Sequence, residues 1–325
     1  MARRASRGGV LAAWVVLAVA GCTPPTPPPA PPAPPQPSLD GTFRWQLATG
    51  EGDTGAEQPG TAATFDLIAR SACTESGCVA TATAPDYDAP AAPPAAAAAG
   101  ELVFDFVDGR WVAVRAQPST CRDDTGDGVH DTYTWRTYVL EPTGDGGWTG
   151  SYVERNALES CGGSTGQTAT VTRTGIADPG ITLPEPASQP PRITTPAAGL
   201  RGQYTSTLTA RATRQTDDTG VYTAETTCLR TGDRCLSYLI RDDGAGAGSA
   251  RKLVFADGHW TESSAPIAGD CPGGGRYTAL NSAVLPLPAL PADPIEALAG
   301  AFTQRSTGDC SGTREYDVTY TLVPN

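Results

Sequence analysis

The chain has 325 residues, a formal net charge of −12, 30 prolines, 37 glycines and nine cysteines. Its one lysine is Lys252, and the acidic surface this implies argues against nucleic acid or anionic lipid as an electrostatic partner. Two histidines and no C-x2-C pair leave little from which to build a structural zinc site.

The N-terminus carries a targeting pattern. Arg3, Arg4 and Arg7 precede an eleven-residue apolar run, Val10 to Ala20. That is short of the roughly 20 residues a membrane-spanning helix needs, and it suits a cleaved signal. Val19-Ala20-Gly21-Cys22 reads as a bacterial lipobox. Small residues let a signal peptidase reach the backbone, and the Cys22 thiol accepts a diacylglycerol. Residues 1–21 are therefore expected to be removed. Without the three leader arginines the net charge falls to about −15, a solubility feature rather than a functional one. Lipidated Cys22 would tether the protein to the outer face of the cell membrane, with two acyl chains giving permanent attachment.

Thr23 to Pro37 contains ten prolines in fifteen residues. Proline fixes φ and donates no backbone hydrogen bond, so residues 22–38 read as a polyproline II spacer of roughly 45 Å.

From Leu39 the pattern turns to β. Ala63–Ile68, Cys78–Thr83 and Tyr133–Val139 alternate and are rich in β-branched and aromatic residues. About eight such runs fit between residues 39 and 175. Asp108-Gly109 is a hairpin-turn signal.

A 24-residue tract with six prolines, 176–199, separates this unit from residues 200–325, which repeat its landmarks in order. Leu39-Asp40-Gly41-Thr42-Phe43 returns as Leu200-Arg201-Gly202-Gln203-Tyr204. Cys73/Cys78 returns as Cys228/Cys235, and Asp108-Gly109-Arg110-Trp111 as Asp257-Gly258-His259-Trp260. Cys121 matches Cys271, Trp148–Tyr152 matches Leu298–Phe302, Arg155 matches Arg305, and Cys161 matches Cys310. The chain is an internal duplication. Within the longer insert of the second copy, Asp293 is expected to cap one helical turn that starts at Pro294 and ends by Gly300.

The fold expected is all-β: two tandem antiparallel meander β-barrels of about eight strands each, with β-sandwiches as the alternative. Closure removes the unpaired edges of an open sheet. The glycine-x-aromatic opening of each copy resembles the first strand of lipocalin-like and streptavidin-like barrels.

Eight cysteines remain after Cys22, an even number suited to an oxidising compartment, with 105 possible pairings. The repeat orders them as Cys73–Cys78, Cys121–Cys161, Cys228–Cys235 and Cys271–Cys310.

Several motifs invite a sharper chemistry. Asp123, Thr125 and Asp127, with Asp131 beyond, trace part of a calcium loop. However, Thr134 stands where a bidentate glutamate belongs and falls in an expected strand, so an acidic connecting loop is the reading retained. Gly162-Gly163-Ser164-Thr165-Gly166 fits G-x-S-x-G without the strand–turn–helix setting of a nucleophile elbow. Gly244–Gly248 lacks the setting of a phosphate loop. His130 is expected in a loop and His259 in a hairpin turn. Trp111/Trp260 and Tyr152/Phe302 look like core. Arg155 and Arg305 are the candidate ligand contacts, for an anion, against a packing role over an aromatic face. No catalytic residue, metal or cofactor is assigned.

Cys73-Thr74-Glu75-Ser76-Gly77-Cys78-Val79-Ala80-Thr81, Val107-Asp108-Gly109-Arg110-Trp111 and the later cysteine pair together resemble a family of actinobacterial exported proteins. That family includes lipoproteins and the extracytoplasmic C-terminal regions of membrane serine/threonine kinases. The similarity covers most of the first copy and, more loosely, the second, where Cys-Val-Ala-Thr becomes Cys235-Leu236-Ser237-Tyr238. No kinase segment accompanies it, so kinase activity does not carry over. The resemblance implies an envelope sensor or binding module without a defined ligand. Taken with the expected barrels, whose mouths and inter-domain clefts are the usual pocket locations, the expectation is a non-enzymatic module with an envelope protein, a glycan or an apolar small molecule as partner. The alternative is a hydrolase acting on envelope material through paired carboxylates.

Overall fold

The computed structural model describes residues 38–49, 51–52, 62–84, 101–122, 128–143, 147–158, 164–242, 250–264 and 266–324. The leader, Cys22 and the proline tract to Pro37 lie outside them.

The first sheet comprises β1 (Gly41–Leu47), β2 (Glu51–Gly52), β3 (Ala63–Thr74), β4 (Gly77–Thr83), β5 (Glu101–Val107), β6 (Arg110–Arg122), β7 (Val129–Pro142), β8 (Trp148–Asn156) and β9 (Ser164–Gly175). The two residues of β2 only extend the edge of β9. The other eight pair antiparallel with their sequence neighbours, and β1 pairs with β9 to close the barrel. The second sheet comprises β10 (Gly202–Ala210), β11 (Thr216–Cys228), β12 (Cys235–Arg241), β13 (Ala250–Ala256), β14 (His259–Ser263), β15 (Ile267–Asp270), β16 (Arg276–Pro286), β17 (Ala297–Gly308) and β18 (Gly312–Leu322). It closes through β10–β18 and β14–β16, with β15 hanging on β16. Two eight-stranded meander barrels result, as the alternation of the sequence implies.

Each interior is filled by the inward half of that alternation. Phe43, Trp45, Leu67, Phe104, Trp111 and Leu140 fill the first barrel; Tyr204, Leu253, Trp260, Leu285, Val318 and Tyr320 fill the second. The Asp-Gly turns are both built on left-handed residues: Asp108 and Gly109 have φ of 50° and 81°, Asp257 and Gly258 50° and 79°. This is the backbone a two-residue hairpin needs.

Cys73–Cys78 and Cys228–Cys235 bridge directly opposed residues of the β3–β4 and β11–β12 pairs. Cys271–Cys310 spans 39 residues. Cys121 is also disulfide-bonded, while Cys161 lies outside the described residues.

Two local expectations are corrected. No helical turn follows Asp293: β17 begins at Ala297. The Ile295 amide donates to the Gly199 carbonyl, the Ile295 carbonyl accepts from the Tyr204 hydroxyl, and Ile295 and Leu298 are buried. Those ties hold the segment extended against the barrel end, and tertiary pairing overrides the local cap-and-proline signal. His130 lies in β7 opposite Cys121 rather than in a loop, because β6 and β7 run on to Arg122 and Val129.

The tract 176–199 is docked rather than suspended. It forms 3-10 turns at Pro186–Ser188 and Pro196–Gly199. The Thr81 hydroxyl donates to the Pro184 carbonyl, and Leu183, Pro186 and Ala197 are buried. This strap runs from the first barrel to the second.

Candidate functional site

The richest polar chemistry lies where the two barrels meet. Several contacts between described residues join them. The Arg155 guanidinium, on β8, donates from Nη2 to Glu225 Oε2 at 2.6 Å and stacks over the Tyr238 ring at 4.5 Å. Lys252, 2 % exposed, reaches the Leu158 carbonyl at 3.3 Å. Arg234 covers the Tyr133 ring at 4.4 Å. Arg230 donates from Nε to both oxygens of Asp105, at 2.9 and 3.1 Å, and Arg192 of the strap approaches the same carboxylate at 3.4 Å.

Strand alternation explains why these residues are available. The inward residues of β12 are Cys235, Ser237 and Leu239, so Leu236 and Tyr238 point out, toward the first barrel. On β13, Leu253 and Phe255 point in and Lys252 points out. A side chain that would otherwise sit in water becomes buried because a second barrel covers it.

Beside these contacts the barrels leave a cleft of about 680 Å³. Val112, Val114 and Val139 of the first barrel form one wall, and Thr226, Thr227 and Cys228 of the second form another. The strap, Thr194 to Ala198, lies along it. A smaller pocket of about 240 Å³ adjoins it at Arg192 and Thr194.

The barrel interiors hold a second set of charges. In the first, Arg136 donates to Glu154 at 2.8 Å and to Gln117 at 2.9 Å, and the Tyr152 hydroxyl donates to the same glutamate at 2.5 Å. Burial alone would lower the pKa of Arg136, but the adjacent Tyr152 and Glu154 reverse this and raise it. In the second barrel, Arg251 donates to both oxygens of Glu262, Nε–Oε1 at 2.9 Å, beneath Phe302 and Tyr320. The two pairs are not equivalent. Register aligns Arg136 and Glu154 with Asn281 and Gln304, which hydrogen-bond to each other, and aligns Arg251 and Glu262 with Leu102 and Ala113. The second copy thus keeps a neutral bonded pair where the first has its ion pair, and adds an ion pair of its own where the first is apolar. Burial also pushes the Tyr320 hydroxyl up, and that of Tyr204 to about 12.

The residues singled out in the sequence fall as follows. Arg155 sits in the junction. Arg305 lies exposed on β17, far from equivalent in environment although equivalent in sequence. Asp131 is exposed on β7, whereas Asp123 and Asp127 lie outside the described residues. Thr134 is in β7, bonded to Asn156. Ser164 is buried at the start of β9, accepts from Arg155 at 3.4 Å and is followed by strand rather than helix. Gly162, Gly163 and Gly244–Gly248 lie outside the described residues. Among the described residues no three His, Cys, Asp or Glu side chains converge as metal ligands. Sequence reasoning missed Asp105, Arg192, Arg230 and Glu225, because each repeats nowhere in the other copy and none sits in a motif.

Residues 35–188 match the family model of the PknI serine/threonine-protein kinase sensor domain. This bears out the resemblance carried by the Cys73–Thr81 and Val107–Trp111 segments. No curated protein matches the chain. Among solved structures, the monomer form of the M. tuberculosis PknI sensor domain is similar at 22 % identity, covering 48 % of this chain and 100 % of that one, TM-score 0.34. A dimer form of the same domain matches at 23 % identity over 38 % of this chain and 80 % of that one, TM-score 0.30. A protein of unknown function from Nostoc punctiforme covers 88 % of this chain and 96 % of its own length, at 11 % identity and TM-score 0.21.

Proposed function

We propose, from the match of residues 35–188 to kinase sensor domains, that the protein is a non-enzymatic sensor or binding module of the cell envelope. It is anchored outside the cytoplasm through lipidated Cys22. The observation that carries the reading is that match, on a barrel stapled by Cys73–Cys78 and joined to a second barrel stapled the same way. Disulfides of this number suit an oxidising compartment. The cleft between barrels and strap is of a size and mixed character suited to a small ligand or peptide segment.

Two experiments test it. Native mass spectrometry of the full chain mixed with envelope extracts should capture a bound species, and turnover of an ester, glycan or peptide from those extracts would overturn the non-enzyme reading. Cys22→Ala should release the protein from the membrane fraction; retention of that variant would sink the lipid anchor.

A further inference from the structure

The 240 Å³ pocket lies where β4, β5, the strap and the β11–β12 turn come together. Its charge is unbalanced. Asp105, 7 % exposed at its side chain, faces two guanidiniums, Arg230 at 15 % and Arg192 at 30 %. One carboxylate needs one of them. The surplus is a net positive charge in a wall of an otherwise strongly acidic protein.

The hydrogen-bond inventory points the same way. A guanidinium carries five N–H donors in a fixed fork. Arg230 uses only Nε on Asp105, and its Nη2 is buried without an acceptor. Arg192 uses only Nη1, at 3.4 Å. A buried donor left without a partner is costly, and a fork of this kind matches a carboxylate in two-point contact. Val79, Phe106, Pro186 and Pro191 give the pocket an apolar side, and Thr74, Ser76, Gln189 and Thr194 line the remainder. Its volume holds about eight waters' worth of matter.

We infer that this pocket binds a small organic carboxylate, its oxygens held by Arg192 and Arg230 and its short apolar body by Val79, Phe106 and Pro191. The inference deepens the sensor reading and rests on it. Because Asp105 belongs to the first barrel, Arg192 to the strap and Arg230 to the second barrel, such a ligand bridges all three. Occupancy would then be felt as a tighter junction.

Isobutyrate is the probe, with isobutyramide as the uncharged match in shape and sulfate as a compact anion without an apolar body. Calorimetric titration of the full chain should give binding of isobutyrate and at least ~10-fold weaker binding of the other two, the worth of a charged hydrogen bond or of the apolar contact. Arg230→Met and Arg192→Met should each weaken isobutyrate by about 10–100-fold. Arg192 lies at the strap surface, so its variant stays informative if the Arg230 variant does not fold. Asp105→Asn removes the competing carboxylate and should tighten binding, a direction that a purely structural ion cluster would not give. Isobutyramide or sulfate binding as well as isobutyrate, or weaker binding by Asp105→Asn, overturns the proposal. If isobutyrate fails while an envelope component is still captured, the pocket assignment alone falls. Failure of both brings down the sensor reading as well.

Discussion

Trp111 and Trp260 occupy the same place in the two barrels and differ by one hydrogen bond. The Trp260 indole donates to Ser237 Oγ at 3.0 Å, whereas the Trp111 indole is buried without an acceptor. Register aligns Ser237 with Ala80, each two residues beyond the second cysteine of its hairpin disulfide. A buried donor without a partner costs about 1–3 kcal/mol. Ser237→Ala should therefore destabilise the protein by that amount in urea unfolding. Ala80→Ser should do the reverse and raise the unfolding free energy by up to about 1 kcal/mol, the worth of a made hydrogen bond. A loss of stability in Ala80→Ser would mean the hydroxyl cannot reach the indole. Asp40 gives a pH-dependent counterpart. Burial pushes its carboxyl up, but hydrogen bonds from Ser38, the Ser71 amide and the Ser71 hydroxyl, with Arg70 nearby, hold it below the ordinary value. A depressed folded pKa adds stability above the unfolded value near 3.9, lost as pH falls through the folded one. Asp40→Asn should thus flatten the acid limb of a stability–pH curve below about pH 4.

At the level of strands, glycine marks where two backbones approach. Gly150 and Gly300 match in the repeat and face the preceding strand. A Cβ on Gly300 would lie 2.2 Å from the Val284 carbonyl oxygen, while on Gly150 the nearest atom is 3.1 Å away. Gly300→Ala should therefore cost several-fold more stability than Gly150→Ala, on the order of 3 kcal/mol against 1; equal costs would show that β16 and β17 can part. Such strand-level features are what the sequence makes legible. Alternation, the Asp-Gly turns and the spaced cysteines each report a local geometry, so strands such as that of Phe43, the turn before Trp111 and the Cys73–Cys78 hairpin were legible. Closure rests instead on the distant β1–β9 and β10–β18 pairings and was expected with a sandwich as alternative. The Asp293–Gly300 segment was not legible, because its conformation is set by Gly199 and Tyr204, residues 91 or more positions away. The junction was illegible for the same reason. Asp105 looks like any strand-end aspartate until Arg230, 125 positions on, is placed against it. Arg155 was noticed as a repeated residue, yet its role depends on Glu225 and Tyr238, whose arrangement the matching Arg305 does not share.

For the whole molecule the question is whether two barrels behave as one. The ties across the junction are chemically mixed: two ion clusters, two arginines on tyrosine rings and a lysine on a carbonyl. Arg155 contributes to two of them. Its partner Glu225 is 56 % exposed, so the ion pair is screened and worth at most about 1 kcal/mol, and the stacking on Tyr238 another 1 or so. Packing over Tyr238 should thus count as much as charge. Arg155→Met, which keeps a long apolar stem over the ring, should cost about 1–2 kcal/mol, and Glu225→Gln under 1. Lys252 differs, since an ammonium so enclosed exchanges water for contacts such as the Leu158 carbonyl and the Tyr238 face. Lys252→Met removes a costly burial and should be near neutral or stabilising. Scanning calorimetry reads these effects on cooperativity. The intact chain should unfold in one transition, and Arg155→Met combined with Arg234→Ala should divide it into two, one per barrel. A single undivided transition in that double variant would shift the coupling onto the strap and Asp105.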